Sequence, residues 1–346
     1  MIFISAFRFS YINSKLHSLK SMLLKQSDYK NLIQSQGFNG FVEYLKPTPY
    51  GKDLDESIHS YDGLTLIYYR NLLNDYIKLI DNISINHKPL VQHLYQRYEL
   101  ENIKVILRTI CYERSKKEAF ELLFPLNKYQ TVSIDELLDS KDLLDFINRL
   151  KDTWYYNPLD NSSYRFEKEG ETFPLEIALD LSYYARLWEI VSSLKRDDKK
   201  TAKSLIGIQL DALNILWIIR FKESYHFSPE EILNYSLTNG SFISPKKRKR
   251  LAYSIDQRNI INNLNGTPYN KILNEIDDPE IAYTVLLQYI FYQSKKNLIA
   301  NPFQIGIILD YLFFKEIEVR NLITITEARK IGLSTEKMNG YLIELF

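Results

Sequence analysis

The sequence has 346 residues, of which 44 are basic and 43 acidic, so the net charge is +1. A chain of this charge has no overall field that would attract nucleic acid or a membrane surface, so binding must depend on local patches or on shape. Aromatic residues are frequent, with 26 Tyr and 18 Phe, whereas Gly and Pro occur 11 times each. This composition favours long helices over a turn-rich sheet, and the length leaves room for two or three domains.

The N-terminal stretch MIFISAFRFS has no basic region before its apolar run, so it does not resemble a signal peptide. From Ile12 onward, apolar residues recur at helical spacing and predict a first helix. A second helix is expected to run through Leu32 to Leu45, with Ser27 and Asp28 as its caps. The sequence LKPTPYG then predicts the end of that helix, because proline inside a helix removes hydrogen bonds.

A turn motif of the form Leu-x-x-Thr-x-Tyr occurs three times, and we number its copies in chain order. It reads LKPTPY from Leu45, LKDTWY from Leu150 and LNGTPY from Leu264. Each copy follows a predicted helix, so its Thr and Tyr are expected to form a turn. These residues are Thr48 and Tyr50, Thr153 and Tyr155, and Thr267 and Tyr269.

A second motif follows each turn on a predicted helix. It places an Asn three positions and an Ile seven positions after an acidic residue, so the three side chains share one helix face. The Thr and the acid are 51, 58 and 51 residues apart in the three copies, and the seven extra residues amount to roughly two helical turns. The acid and Asn pairs are Glu99 and Asn102, Asp211 and Asn214, and Glu318 and Asn321.

The paired motifs predict three helical modules, spanning residues 1–117, 118–226 and 227–346. A catalytic constellation usually occurs once in a chain, whereas a packing motif recurs with its module, so we interpret the repeated residues as architecture. Buried polar groups need partners, and each acid and Asn is therefore expected to bind backbone or side-chain groups where the modules meet. The alternative is that the three acids form an ion or proton path.

Glu176 and Asp180 form a separate candidate site. They lie four positions apart on a helix predicted over Pro174 to Val191, so they share a face. Paired carboxylates can perform acid–base chemistry or bind a metal, but no His or third carboxylate follows at ligand spacing. A polar stripe that faces another helix is therefore expected.

The run SPKKRKR at residues 244–250 is the strongest local charge cluster. It could contact acidic lipid head groups or an acidic partner, and it resembles a nuclear localisation signal, but a solvated face is the expected role. Asp277 and Asp278 precede Pro279, a pattern typical of a helix start rather than of a metal site.

Several classes of chemistry lack support in the sequence, and we expect no catalytic residue, no cofactor and no metal. Phosphate loops, dinucleotide-binding turns and nucleophile elbows are absent. The single cysteine, Cys111, excludes an internal disulfide and a cysteine-based zinc site. The apolar run Leu205 to Phe221 is shorter than a bilayer span, so a soluble protein is expected. The histidines show no metal pattern and are expected at surface or half-buried positions: His17, His59, His87, His93 and His226.

The C-terminal run KEIEVRNLITITEARKIGLSTEKM at residues 315–338 resembles the closing signature of the C subunits of the prokaryotic V-type (A/V-type) rotary ATPases. Their counterpart in eukaryotic V-ATPases is the d subunit. Four earlier segments occur in the same order as in that family: LKPTPYG, YELENIKVILR, PLEIALD and QLDALNILWIIRFK. The resemblance therefore covers nearly the whole chain. One departure lies within the repeats: Arg108 and Arg220 follow their motif Asn by six residues, whereas the third copy has Glu327 there.

This resemblance implies an all-α, funnel-shaped protein of three similar modules around a pseudo-threefold axis. It would be a non-catalytic rotor subunit, peripheral at the cytoplasmic face of the membrane, that links the central-stalk subunits to the proteolipid ring and transmits torque. Its partners would include no nucleic acid and no small-molecule substrate. An alternative of a different class is a helical-repeat adaptor that binds peptides or signalling partners along a linear stack of modules.

Overall fold

The computed structural model describes residues 2–54, 58–274, 276, 279–300 and 305–344. All regular elements in these residues are helices, which confirms the predicted all-α class. Asp277 and Asp278 lie outside the described residues, so their expected place at a helix start is not tested.

The first third of the chain contains six α-helices and two short 3₁₀ helices within the described residues. The α-helices are α1 (Ile2–Ser21), α2 (Gln26–Gln34), α3 (Gly37–Leu45), α4 (Leu64–Asn82), α5 (Lys88–Cys111) and α6 (Lys116–Leu122). The 3₁₀ helices span Pro49–Asp53 and Tyr61–Gly63. The first of these begins within the LKPTPYG turn, and Thr48 is its N-cap.

The prediction of a single helix through Leu32 to Leu45 was wrong, because α2 and α3 are separate helices. Gly37 has φ +63°, a left-handed conformation that a continuing helix does not adopt. The predicted caps also differ from the observed ones. Ser27 and Asp28 lie inside the first turn of α2, where the Asp28 carboxylate accepts the Lys25 N–H at 2.6 Å.

The middle third continues with five helices. They are α7 (Ile134–Leu138), α8 (Leu143–Arg149), α9 (Tyr156–Glu169), α10 (Phe173–Ser193) and α11 (Arg196–Glu223). The described part of the last third adds α12 (Pro229–Asn234), α13 (Pro245–Ala252), α14 (Gln257–Asn263), α15 (Pro268–Leu273), α16 (Pro279–Ala300), α17 (Gly306–Lys330) and α18 (Thr335–Tyr341). The three motif acids therefore lie on long helices, Glu99 on α5, Asp211 on α11 and Glu318 on α17.

Six long helices pack against one another in chain order: α4, α5, α10, α11, α16 and α17. The series closes, because α17 also packs extensively against α4. A linear stack of three modules would keep its first and last helices apart. The contact between α17 and α4 therefore contradicts the linear arrangement that the adaptor alternative requires.

Tyrosines make up most of the largest fully buried side chains of the described residues. A buried phenol needs a hydrogen-bond partner, and here several partners are carboxylates. Tyr311 donates to Asp75 at 2.5 Å, and Tyr76 donates to Glu316 at 2.6 Å. The high tyrosine content thus supplies both apolar packing and donors for acids in the interior.

The described residues include one helix, α11, whose length and hydropathy would suit a membrane span. However, 67% of its apolar window is buried inside the protein. Asp211 and Asn214 also lie in the middle of α11 and are buried. These features are typical of the core helix of a folded domain rather than of a helix in lipid.

Candidate functional site: three buried carboxylates and a central cavity

Glu99 in the first copy is fully buried on α5 and is surrounded by hydrogen-bond donors. Tyr155 donates its hydroxyl to Oε2 at 2.8 Å, and the Thr131 hydroxyl donates to the same oxygen at 2.8 Å. The N–H groups of Thr131 and Val132 both donate to Oε1, Val132 at 3.0 Å. All of these donors follow α5 in the sequence, and Tyr155 belongs to the turn of the second copy.

Asp211 in the second copy is fully buried on α11 and is likewise surrounded by backbone N–H groups and a tyrosine hydroxyl. Three consecutive backbone N–H groups donate to it: Ser241 at 3.0 Å, Phe242 at 2.6 Å and Ile243 at 3.3 Å. The hydroxyl of Tyr269, from the turn of the third copy, donates to Oδ2 at 3.0 Å. Burial raises the pKa of Asp211, and these hydrogen bonds oppose that shift.

Gly240, in the loop whose N–H groups bind Asp211, lies very close to the Asp211 carboxylate. A Cβ atom at this position would lie 2.0 Å from Asp211 Oδ1. Glycine is therefore required there, because a larger residue would push the loop away from the acid.

Glu318 in the third copy is also fully buried, on α17, but its donors differ. The hydroxyl of Tyr50 donates to Oε1 at 2.6 Å, and the Leu24 N–H donates to Oε2. The buried ammonium of Lys315 donates to Glu318 Oε1 at 2.7 Å and to the Tyr50 hydroxyl at 3.0 Å. Glu318 therefore binds the N-terminal part of the chain through both a tyrosine and a backbone amide.

The tyrosine partners follow a cyclic order. The first acid binds the second tyrosine, 56 residues away, and the second acid binds the third, 58 residues away. The third acid binds the first tyrosine, across 268 residues of sequence. The acids thus join the three copies in a closed series that agrees with the packing of α17 against α4.

Each motif Asn pairs with one backbone position beyond its own helix. Its amide oxygen accepts an N–H and its amide nitrogen donates to the carbonyl of the same residue, which uses both ends of the side chain. The distances range from 2.7 to 3.0 Å. The pairs are Asn102 with Phe124, Asn214 with Leu237 and Asn321 with Ile343.

The motif threonines organise the turns and do not contact the acids. Each hydroxyl donates to the carbonyl of the motif Leu three residues earlier, at 2.6 to 2.7 Å. These threonines are Thr48, Thr153 and Thr267. They satisfy a carbonyl near the end of the preceding helix and so position the tyrosine that follows.

Glu176 and Asp180 lie on α10 and face another helix, as predicted, and that helix is α5. Arg108 donates to Glu176 at 2.6 Å, and Lys104 lies 2.5 Å from Asp180. Burial raises the pKa of Asp180 to about 6. Within the described residues, no group of three or more His, Cys, Asp or Glu side chains could hold a metal ion.

Two histidines are buried, which corrects the expectation that all five would lie at surface or half-buried positions. His93 Nε2 donates to the Tyr183 carbonyl at 2.9 Å, and its ring stacks on Tyr183. His87 Nε2 lies 2.9 Å from an Asp198 carboxylate oxygen. Burial lowers the pKa of His93, so it serves as a neutral packing residue rather than as a ligand.

The basic run at residues 244–250 forms the N-cap and most of α13. Lys246, Lys249 and Arg250 are exposed, as expected of a solvated face. Arg248 instead donates to the Leu237 carbonyl at 2.6 Å. This carbonyl also accepts from Asn214, so the basic run has one member that supports the hydrogen-bonded site of the second copy.

The six long helices also line a cavity of about 470 Å³ that is open on one side. The residues two positions before and two positions after each motif acid line its wall. Those before are Arg97, Gln209 and Glu316, and those after are Glu101, Leu213 and Arg320. Equivalent positions of α5, α11 and α17 therefore face one central space, which the spacing from the motif acids could have indicated.

An ion pair in the wall of this cavity joins α5 to α17. Arg97 donates to Glu316 Oε1 at 2.9 Å. The hydroxyls of Tyr76 and Tyr98 donate to the same oxygen at 2.6 and 3.2 Å. These contacts were not predicted from the sequence, since neither charged residue belongs to a repeated motif.

Known proteins are similar in sequence to this chain over nearly its whole length. The profile of the ATP synthase (C/AC39) subunit family matches residues 12–341. The C subunit of the A-type ATP synthase of Methanosarcina mazei is 26% identical over 343 residues, which cover 97% of this chain and 92% of the relative. That of Methanocaldococcus jannaschii is 24% identical over 347 residues, which cover 97% and 86%. Because the profile spans nearly the whole sequence, this chain belongs to the ATP synthase (C/AC39) subunit family, whose members are accessory rather than catalytic subunits.

Proposed function

We propose that this protein is a socket that links the central stalk of the ATP synthase to the membrane proteolipid ring. It would transmit torque between ATP hydrolysis or synthesis and ion translocation, from a peripheral position at the cytoplasmic face of the membrane. Modules 1–117, 118–226 and 227–346 would surround a pseudo-threefold axis as a funnel. The cyclic order in which the three acids bind the next copy's tyrosine supports this proposal most strongly.

A body that transmits torque must resist shear between its parts. Each motif acid is fully buried and accepts hydrogen bonds from the neighbouring copy, so a sliding movement would expose or strand a charged group. Breaking a buried, hydrogen-bonded charge costs several kcal/mol, which is large relative to the stability of a domain. The three acids would therefore act as locks that keep the copies in register.

The stalk and ring partners can be tested by assembly. The chain would be co-expressed with the two central-stalk subunits and, separately, with the proteolipid ring in detergent. We expect a stable complex in both cases. If the folded chain copurifies with neither partner, the socket proposal is wrong.

The lock mechanism can be tested in the assembled ATP synthase. Lys315→Met combined with Glu318→Met removes the third-copy lock without leaving an unpaired buried charge. Arg108→Met combined with Glu176→Met removes a more exposed ion pair as the control. We expect the lock variant alone to pump fewer ions per ATP hydrolysed while remaining folded. Unchanged pumping and ATPase rates in the lock variant would contradict the mechanism.

A further inference from the structure

Arg320 on α17 faces the central cavity, and no carboxylate of the described residues pairs with it. Its guanidinium donates to the Thr284 hydroxyl at 3.2 Å and to the Tyr341 carbonyl at 3.3 Å. It also lies over the ring of Tyr283, 4.9 Å from the centroid. These contacts are long or uncharged, so the positive charge is not neutralised.

The acids that face the same cavity already have partners. Glu316 binds Arg97 at 2.9 Å, and Glu101 binds Lys104 at 3.0 Å. The cavity thus contains two arginines in different situations. Arg97 has a carboxylate beside it, whereas Arg320 has only neutral acceptors and an aromatic face.

Arg320 also lies where the cavity meets a second space. A groove of about 700 Å³ between α11, α16 and α17 shares Arg320 with the central cavity. The shared wall is largely apolar and includes Leu213, Leu216 and Tyr283. Burial without an acidic neighbour disfavours the charged guanidinium and lowers the pKa of Arg320.

Partial burial of an arginine without a carboxylate partner is costly, and the neutral contacts of Arg320 offset only part of that cost. A planar guanidinium presents several N–H donors that match a carboxylate, and its charge makes those hydrogen bonds strong. An apolar wall around such a group suits a partner that carries one acid among apolar side chains.

We propose that Arg320 receives an acidic side chain from the end of the central stalk, flanked by apolar residues that enter the cavity and the adjoining groove. This inference rests on the socket proposed above and specifies the chemistry of its occupant. The stalk carboxylate would complete a charge pair that the isolated chain lacks.

The test measures the dissociation constant of the purified full-length chain for the purified central-stalk subunits. Arg320→Met should weaken binding about 30-fold or more, because it leaves the partner's acid buried without a counter-charge. It should also reduce the dependence of affinity on salt. The matched control is Arg329→Met, on the same helix, whose guanidinium donates to the Ile33 and Ser35 carbonyls at 3.0 and 2.6 Å. The control should bind the stalk as wild type does.

Circular dichroism and thermal unfolding would verify that each variant is folded. If Arg320→Met does not fold, Arg320→Lys replaces it, and its loss of bidentate geometry should still weaken binding several-fold. Arg320→Glu should regain affinity when one acidic residue of the stalk is changed to Arg. If wild type binds the stalk and the Arg320 variants bind equally well, this inference is wrong while the socket stands. If wild type does not bind the stalk at all, the socket itself fails.

Discussion

The second-copy and third-copy carboxylates occupy equivalent positions but are held by different chemistry. Asp211 accepts three consecutive backbone N–H groups from one loop, together with Tyr269. Glu318 accepts a single backbone N–H, from Leu24, together with a tyrosine and a buried ammonium. Neutral backbone amides of a loop therefore supply most of the hydrogen bonds to Asp211, whereas the Lys315 ammonium supplies one of those to Glu318.

The difference follows from how far along the chain the partners of each acid lie. Asp211 is wrapped by residues only 30 to 32 positions further along the same chain. The backbone partner of Glu318 lies 294 positions away, in the N-terminal part of the chain. Lys315 supplies the missing donor, and the equivalent positions of the other copies hold Gln96 and Ile208. Closure of the ring thus depends on a buried ion pair that the other two sites do not need.

The largest expected effect comes from removing the acid at the closing site. Glu318→Gln leaves the Lys315 ammonium buried without a counter-charge and should lower the free energy of unfolding by about 3–5 kcal/mol. Asp211→Asn leaves only neutral amides with a weaker acceptor and should cost about 1–3 kcal/mol. Urea unfolding measures both losses. Equal losses would contradict the distinction between the two sites.

Removing the cation should have a smaller effect than removing the acid. Lys315→Met leaves Glu318 with Tyr50 and Leu24 as donors, so we expect a loss of about 1–3 kcal/mol. Gln96→Met, at the equivalent position of the first copy, removes only a long contact to His93 Nδ1 at 3.3 Å and should cost about 0.5 kcal/mol. A comparable loss in the two variants would show that the cation has no special role.

Replacing the tyrosines should give a smaller and graded effect. Tyr50→Phe removes a hydroxyl that donates to Glu318 and accepts from Lys315, so about 2 kcal/mol is expected. Tyr269→Phe removes only one bond to the acid and should cost about 1 kcal/mol. Thermal unfolding of the two variants gives their order. The reverse order would contradict the double role of Tyr50.

The smallest expected effect is a change in pH dependence at the second-copy site. Burial raises the pKa of Asp211 above its usual value of 3.8. The folded protein then binds the Asp211 proton more tightly than the unfolded chain does, so proton binding stabilises the fold at low pH. This stabilisation is lost as pH rises through the raised pKa. Asp211→Asn does not titrate and should give a flatter stability profile between about pH 4 and 7. Parallel profiles for wild type and variant would rule out this contribution.

The sequence predicted the fold class and the repeated motifs because both depend on local spacing. Apolar periodicity marks long helices, and repetition marks Glu99, Asp211 and Glu318 as equivalent without a structure. It did not indicate which tyrosine each acid would bind, since that depends on how the copies are arranged in space. Lys315, three residues before the third acid and without an equivalent cation, was the available signal that the closing site differs.

The cavity was less predictable than the buried acids. Arg97, Glu316 and Arg320 belong to no repeated motif and are ordinary charged residues of a helix when only the sequence is considered. Their distance of two residues from a motif acid was the available signal, but tertiary packing decides which face of each helix points inward. The sequence analysis also missed the helix break at Gly37. A glycine is compatible with both a helical and a left-handed conformation, so its presence alone does not predict a break.

A complete set of double-mutant cycles would test most directly whether the three copies close on one another. Each acid would be changed to its amide and each tyrosine to phenylalanine, in all nine combinations, and the coupling would be measured by urea unfolding. We expect coupling of about 0.5–3 kcal/mol only for Glu99 with Tyr155, Asp211 with Tyr269 and Glu318 with Tyr50. Absence of coupling between Glu318 and Tyr50, or equal coupling between Glu318 and Tyr155, would contradict the closed ring.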